Sequence, residues 1–184
     1  MKDLLLRDAE TLFALFGDLV HQVLVTERLG EVAEHDITHA QVEALQFLSR
    51  HDPNCVGDLA SGLGISYPAA TKAVDRLVAK GLVTRREGER DRRQSELTLT
   101  PEGRELVEAL KVSRRERLEA IFARMSGEDQ KALLRGLKGF LTAAFMTDKA
   151  LIAETCQRCG IDCFKDCVVN QSHLAFLGSE IERV

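Results

Sequence analysis

The spacing of apolar residues along the chain predicts a mainly helical protein. A first helix is predicted over residues 4–29, because apolar residues recur there at intervals of three and four. The residues on that face are Leu12, Phe16, Leu19 and Val23. A second helix starts at Thr38, where Gln41 follows three positions later as in a capping box, and it ends at the turn sequence of residues 52–54.

Two helices joined by a very short turn follow. The first covers about residues 56–63 and closes at Gly64. The second covers residues 66–80, with Pro68 in its first turn, where the missing N–H costs nothing, and Gly81 directly after its end. A glycine turn this short between two helices indicates a helix-turn-helix.

A β-hairpin and two further helices complete this part of the pattern. Residues 82–85 and 95–100 are β-prone and flank the almost wholly charged loop 87–93, which indicates two strands joined by a polar turn. Thr100 then caps a long helix that starts with Pro101 and runs to about residue 125. Ser126 caps the next helix, which carries a strong apolar stripe.

The helices at the two ends of this pattern are long for the small central unit between them. Their apolar stripes exceed what one small core can bury, so a second copy of the chain is the expected partner. The sequence therefore predicts a homodimer.

The charge distribution favours nucleic acid although the chain is acidic overall. The 184 residues carry a net charge of -4. Residues 66–93 hold eight Lys or Arg against four Asp or Glu, a local charge of +4, so the remainder sums to -8. A local basic surface is what matters for phosphate binding.

The compartment expected from the sequence is the cytoplasm. No stretch reaches the roughly 18 apolar residues needed to span a bilayer. The first residues lack the apolar core and cleavage site of a secretory signal. In the cytoplasm, clustered cysteines are more often metal-binding or redox-active than structural disulfides.

Five short motifs, in order, resemble the MarR family of winged helix-turn-helix regulators over roughly residues 4–146. The motifs are Asp58-Leu59-Ala60 with Leu63-Gly64-Ile65-Ser66, Thr71-Lys72-Ala73-Val74-Asp75-Arg76-Leu77, Lys80-Gly81-Leu82-Val83-Thr84-Arg85, Asp91-Arg92-Arg93, and Leu97-Thr98-Leu99-Thr100-Pro101-Glu102-Gly103. The resemblance implies a mainly α fold: a winged helix-turn-helix with long N- and C-terminal dimerisation helices and a two-stranded wing. It also implies a transcriptional regulator rather than an enzyme, and neither a nucleotide-binding glycine loop nor a Ser/His/Asp pattern is present.

The helix over 66–80 is predicted to enter the major groove, where hydrogen-bond patterns distinguish all four base pairs. Lys72 and Arg76 lie four residues apart on one face and suit phosphate or guanine contacts, or else they only solvate a surface. The resemblance makes residues 87–93 the wing, with Arg93 at the minor groove and Asp91 holding the wing's shape; the alternative is a floppy charged hairpin. The predicted DNA-binding residues are Ser66, Tyr67, Pro68, Ala69, Thr71, Lys72, Arg76, Arg85, Asp91 and Arg93.

By the same resemblance, two recognition helices of a dimer read a pseudo-palindromic site in double-stranded DNA. Binding should weaken steeply with salt. The predicted units are a dimerisation helix over 1–37, the winged helix-turn-helix over 38–100, further dimerisation helices over 101–150, and a cysteine-rich extension over 151–184.

Four of the five cysteines fall within twelve residues, spaced C-x2-C-x3-C-x3-C: Cys156, Cys159, Cys163 and Cys167. On one continuous helix they would form a stripe about 16 Å long, too long to close on one ion. Gly160 favours a turn that brings Cys156 and Cys159 together. Cys163 and Cys167 would then come from one helix face, at positions i and i+4.

Four thiolates suit an iron–sulfur cluster or zinc. The tight run favours [4Fe–4S], which would make the protein a sensor of redox state, oxygen or iron. Zinc, a thiol switch and inert cysteines are the alternatives, and in a MarR-type regulator the signal could instead be a small aromatic ligand. Further possible metal ligands are Cys55, His173 and the pair His35 and His39. At each of these positions an ordinary buried or solvated residue is favoured over a metal ligand.

Overall fold

The computed structural model of the chain describes residues 2–22, 37–50, 55–87, 95–148, 150–158 and 166–178. Eight helices and two strands lie in these residues. They are α1 (Lys2–His21), α2 (His39–Leu48), α3 (Val56–Leu63), α4 (Tyr67–Ala79), β1 (Val83–Glu87), β2 (Ser95–Leu99), α5 (Pro101–Phe122), α6 (Gly127–Thr147), α7 (Ala150–Arg158) and α8 (Val168–Leu177). The mainly helical fold class is therefore confirmed.

Local capping chemistry sets where most of these helices begin. The N–H of Thr38 donates to the buried Gln41 side chain at 3.0 Å, as the predicted capping box requires. Ser126 caps α6 by accepting from the N–H of Asp129 at 3.1 Å. Each bond satisfies a backbone or side-chain group that the first turn of a helix would otherwise leave unpaired.

The two strands form an antiparallel hairpin whose base is tied to α5. Val83 pairs with Leu99 and Glu87 with Ser95, so β1 extends two residues beyond the predicted strand. Thr100 then starts α5 as predicted, although α5 ends at Phe122 rather than near residue 125.

One hydrophobic core unites α2, α3, α4, the hairpin and the first turns of α5. Its fully buried members include Leu45, Leu59, Leu77, Leu82 and Leu97. Burying Leu-sized side chains completely contributes about 1.5–3 kcal/mol each, so this core holds the helix-turn-helix rigidly against the hairpin.

The long end helices leave much apolar surface uncovered in a single chain. On α1, Leu12 is 66% exposed and Leu19 is 56% exposed. The ring of Phe13 meets that of Phe140 on α6 at a centroid distance of 4.5 Å, so α1 and α6 contact each other there. The predicted end of the first helix, from residue 23 to 29, lies outside the described residues.

A second, smaller core joins the C-terminal helices. Phe145 of α6, Ile152 of α7 and Val169 of α8 are buried together. Cys156 and Cys167 are half-buried and pack against this cluster. Helix α7 also contacts α2 and α3, so this helix lies directly on the helix-turn-helix unit.

Candidate nucleic-acid interface and cysteine segment

The turn of the helix-turn-helix is fixed by Gly64. It adopts a left-handed conformation with φ 64°, which glycine enters without steric cost. The N–H of Ile65 donates to the Ala60 carbonyl at 3.0 Å and closes the end of α3. Ser66 then caps α4 by accepting from the N–H of Ala69 at 3.4 Å. These contacts fix the angle between α3 and α4.

Helix α4 has one buried face and one exposed face. Ala70, Val74 and Leu77 are fully buried against the core. Lys72 and Arg76 are exposed, so both charges are available on the surface of this helix. The arrangement is that of a recognition helix, packed on one side and cationic on the other.

The first turn of α4 presents mixed polar and apolar groups to solvent. Tyr67 is 58% exposed, and Pro68 and Ala69 are exposed beside it. The hydroxyl of Thr71 donates to the Tyr67 carbonyl at 2.9 Å, which leaves its oxygen able to accept from another donor. A helix N-terminus with such groups can contact base edges and phosphates.

Arg85 lies beside the recognition helix rather than apart from it. Its guanidinium Nη1 is 3.4 Å from Asp75 Oδ1 of α4, and both side chains are substantially exposed. An exposed ion pair of this kind adds little stability. It does hold a strand arginine against α4, the helix that carries Lys72 and Arg76.

The tip of the wing is not among the described residues. The predicted contacts Asp91 and Arg93 both fall there, and they stay predictions. The strands that carry the tip are described, and a hydrogen-bonding pair of threonine hydroxyls, Thr84 and Thr98 at 2.7 Å, links them across the hairpin.

Comparison with known proteins identifies the family to which this arrangement belongs. The MarR family profile matches residues 35–94, which cover the helix-turn-helix and the first strand of the hairpin. The regulator YfiV of Bacillus subtilis, an uncharacterised HTH-type transcriptional regulator, is 30% identical over 122 residues, covering 65% of this chain and 76% of YfiV. The chain belongs to the MarR family. It is accordingly a DNA-binding transcriptional regulator and not an enzyme.

Solved structures agree with the fold of this MarR protein. A variant of MepR from S. aureus has a TM-score of 0.67 and 25% identity, covering 73% of this chain and 97% of MepR. FabT of Streptococcus pneumoniae, solved in complex with DNA, has a TM-score of 0.61 and 24% identity, covering 77% of this chain and 96% of FabT. Neither likeness extends over the whole of this chain.

The cysteine segment differs from the predicted geometry in one respect. Cys167 is the N-cap of α8, with an extended ψ of 131°, and Asp166 before it is in a turn. The prediction that Cys163 and Cys167 share one helix face is therefore wrong. The helix starts only at Val168, and Val169 in its first turn is buried in the small core with Phe145.

The two ends of the cysteine run lie against the same apolar cluster. Cys156 is in the last turn of α7 and Cys167 is the N-cap of α8, so the two cysteines belong to different helices. Cys159 and Cys163 fall outside the described residues. Within the described part, no group of three or more His, Cys, Asp or Glu side chains lies close enough to hold a metal ion.

Three of the remaining candidate ligands lie in described helices or cap one. Cys55 is the N-cap of α3, where its Sγ accepts from the N–H of Asp58 at 3.4 Å. His39 is 3.5 Å from Glu43 on α2, and its ring meets that of His21 edge-on. His173 is half-buried on α8, and His35 lies outside the described residues.

Two contacts that matter here are not apparent from the sequence. Arg50 Nη1 donates to the carbonyl of Cys156 at 3.3 Å, although the two residues are 106 positions apart in the sequence. No local sequence pattern predicts such a pair. The pairing of Arg85 with Asp75 is also missed, because it depends on how the hairpin folds back onto α4.

Among the described helices, none is long and apolar enough to cross a membrane.

Proposed function

We propose that this chain acts as a homodimeric, sequence-specific repressor of transcription that binds a pseudo-palindromic site in double-stranded DNA. The observation that carries the proposal is the exposed, cationic face of α4, with Lys72 and Arg76 outward and Ala70, Val74 and Leu77 buried. A regulator of chromosomal DNA works in the cytoplasm, where that DNA lies.

The proposed contacts with DNA are of three kinds. The first turn of α4, from Ser66 to Thr71, faces base edges in the major groove. Lys72, Arg76 and Arg85 neutralise phosphates, and Arg93 of the wing enters the minor groove with Asp91 supporting the wing.

The exposed apolar surface of the end helices supports the dimer. Residues 1–37 and 101–150 are its dimerisation helices in this proposal. Apolar side chains on α1 and α6 remain exposed in the single chain, among them Phe16 at 42% and Phe140 at 51%. A second copy would cover them and would place two recognition helices for two half-sites about one helical turn of DNA apart.

Gel shifts with the promoter of the protein's own gene test the DNA-binding proposal. Wild-type protein should shift this DNA at low salt and discriminate against unrelated DNA. Arg93→Ala and Lys72→Ala should both weaken the shift, whereas Lys138→Ala, an exposed cation on α6, should not. No sequence preference in wild-type protein would contradict the proposal.

We further propose that a metal centre held by Cys156, Cys159, Cys163 and Cys167 sets the affinity for DNA. The described cysteines fit such a centre in one respect: Cys156 and Cys167, from two different helices, are both half-buried against one apolar cluster. A sulfur-rich set of four suits a [4Fe–4S] cluster or zinc. When bound, a cluster would supply a redox-sensitive centre, and zinc would supply a structural or zinc-responsive one.

Purification without oxygen distinguishes these groups. A broad visible absorption, with iron and acid-labile sulfide in the preparation, is expected for the cluster. Colourless protein with one zinc per chain would replace the cluster by zinc. Cysteines that bind neither, in wild-type protein prepared this way, would contradict the metal proposal and leave the DNA-binding one standing.

A small aromatic acid is the second candidate signal. A cavity of about 260 Å³ lies between α2, β2 and α5, lined by apolar Leu48, Leu99 and Val107 and by charged Arg104, Glu108 and Lys111, with Lys111 Nζ 2.8 Å from Glu108 Oε1. In this proposal Arg104 would pair with the carboxylate of a flat anion held between the apolar side chains. Release of DNA by benzoic acids, unchanged when the metal is removed, would favour this candidate.

A further inference from the structure

The C-terminal helices connect the cysteine run to the helix-turn-helix of the same chain. Helix α7 contacts α6 and α8 on one hand and α2 and α3 on the other. Its Ile152 is fully buried with Phe145 and Val169, which anchors α7 in place. Cys156, four residues after Ile152, packs against the same cluster from the last turn of α7.

Arg50 makes the polar link in this connection. It lies just after α2, where its Nε donates to the Gln46 carbonyl at 3.1 Å and its Nη1 donates to the Cys156 carbonyl at 3.3 Å. The planar guanidinium therefore bridges the C-terminal ends of two helices. A cation is favoured at that position, because the last carbonyls of a helix carry partial negative charge.

The position of α2 and α3 determines that of the recognition helix. Helix α4 packs against both of them, and Leu45, Leu59 and Leu77 from the three helices are fully buried in one core. A displacement at Arg50 would therefore act on a tightly packed unit rather than on a loose loop.

We infer that Arg50 is a positioning residue that transmits the state of the cysteine run to the recognition helix. This inference rests on the proposed response to a metal. The metal ligand Cys156 and the acceptor of the Arg50 hydrogen bond belong to the same residue. A rearrangement of Cys156 on metal loading therefore alters the Arg50 bridge. This in turn shifts α2 and α3, the two helices against which α4 packs.

The coupling is reciprocal by thermodynamic linkage. If the metal changes the DNA affinity by some factor, DNA changes the metal affinity by the same factor. Removing the bridge should reduce both factors together, whereas simple damage to the DNA-binding surface would lower DNA affinity equally with and without metal.

The experiment compares wild-type protein with Arg50→Gln and Arg50→Lys in the full chain. Each is reconstituted with ferrous iron and sulfide, or with Zn²⁺ in a second arm, and compared with protein stripped by chelator under reducing conditions. Fluorescence anisotropy at fixed salt gives the ratio of DNA affinities of loaded and stripped protein. Arg115→Gln is the matched control, because its described ion pair is with Glu119 on its own helix.

Wild type and Arg115→Gln should show a ratio that differs from one by about fivefold or more, a typical allosteric coupling. Arg50→Gln should bring the ratio within twofold of one. Arg50→Lys keeps the charge but not the planar fork, so its ratio should fall between the two, and it serves as the test if Arg50→Gln does not fold. Hydrogen exchange of the α3 amides should respond to metal in wild type and not in Arg50→Gln.

The possible failures are separable. A ratio of one in wild type removes the proposed metal response and this inference with it. A full response in wild type, equalled by Arg50→Gln in both the affinity ratio and the α3 exchange, overturns the role of Arg50 alone.

Discussion

Gly62 lies where α3 crosses the aromatic ring of Phe47. A Cβ atom at position 62 would overlap that ring, and Phe47 is itself only 4% exposed, so the ring has little room to move. The absence of a side chain at this position lets α2 and α3 approach closely.

Gly62→Ala should therefore destabilise the protein. Overpacking a tight core costs about 1–3 kcal/mol, and this exceeds the gain in helix propensity of at most about 1 kcal/mol. Urea denaturation at fixed protein concentration measures the difference. Gly57→Ala in the same helix is the control, because its Cβ would meet only the Cys55 sulfur at an ordinary 3.5 Å, and it should be neutral or stabilising. A loss of stability in both variants alike would contradict this reading of Phe47.

The hydroxyl and the N–H of Thr100 make three hydrogen bonds at the junction of the hairpin and α5. Its hydroxyl donates to the Gly81 carbonyl at 2.8 Å and accepts from the N–H of Gly103 at 3.0 Å. Its own N–H donates to the Leu82 carbonyl at 3.1 Å. The motif around Thr100 thus has a physical basis: one side chain joins the base of the wing to the start of α5.

Replacing Thr100 by Val keeps the shape and removes both hydroxyl bonds. The expected loss is about 2 kcal/mol in the free energy of unfolding, since an N-cap alone is worth about 1 kcal/mol and the Gly81 carbonyl also loses its donor. Thr100→Ser should recover most of the loss. Equal stability of the Val and Ser variants in urea denaturation would show that the hydroxyl contributes little.

At the scale of elements, helix α4 should contribute phosphate contacts that can be counted. Lys72→Ala and Arg76→Ala should each weaken binding to all DNA sequences and reduce the slope of log affinity against log salt by about one. Lys138→Ala on α6 should leave the slope unchanged. A titration of affinity against salt measures all three, and unchanged slopes for both α4 variants would mean that these cations only solvate the surface.

The elements that the sequence predicted well are those with local signals. Helix starts at Ser66, Thr100 and Ser126 follow from side chains that bond the backbone three residues away. The turn at Gly64 follows equally from a backbone conformation that favours glycine. These features lie within one turn of helix and need no knowledge of the rest of the chain.

The cysteine segment was harder to predict because its shape depends on distant contacts. The spacing of Cys163 and Cys167 is compatible with a helix, but Cys167 is the N-cap of α8, a helix whose first turn buries Val169 against Phe145 from a distant part of the chain. The link from Arg50 to Cys156 joins parts of the chain 106 residues apart. The spacing of apolar residues along the sequence does not predict contacts between residues so far apart.

For the molecule as a whole, the exposed apolar face of α1 has a specific consequence. Phe16 is 42% exposed between Leu12 and Leu19, which are exposed further still. Phe16→Glu would place a charge inside the proposed apolar dimer interface. The dimer should therefore dissociate, because an unpaired charge in an apolar interface costs several kcal/mol.

Sedimentation should then report a mass near the 20.4 kDa of one chain for Phe16→Glu and about twice that for wild type. Affinity for a two-half-site DNA should fall with it, since each monomer reads only one half-site. Asp18→Ala provides the control, because residue 18 lies roughly 200° around the helix from residue 16. If Phe16→Glu stayed dimeric with wild-type affinity, the second copy would have to dock elsewhere, and the exposed face of α1 would need another explanation.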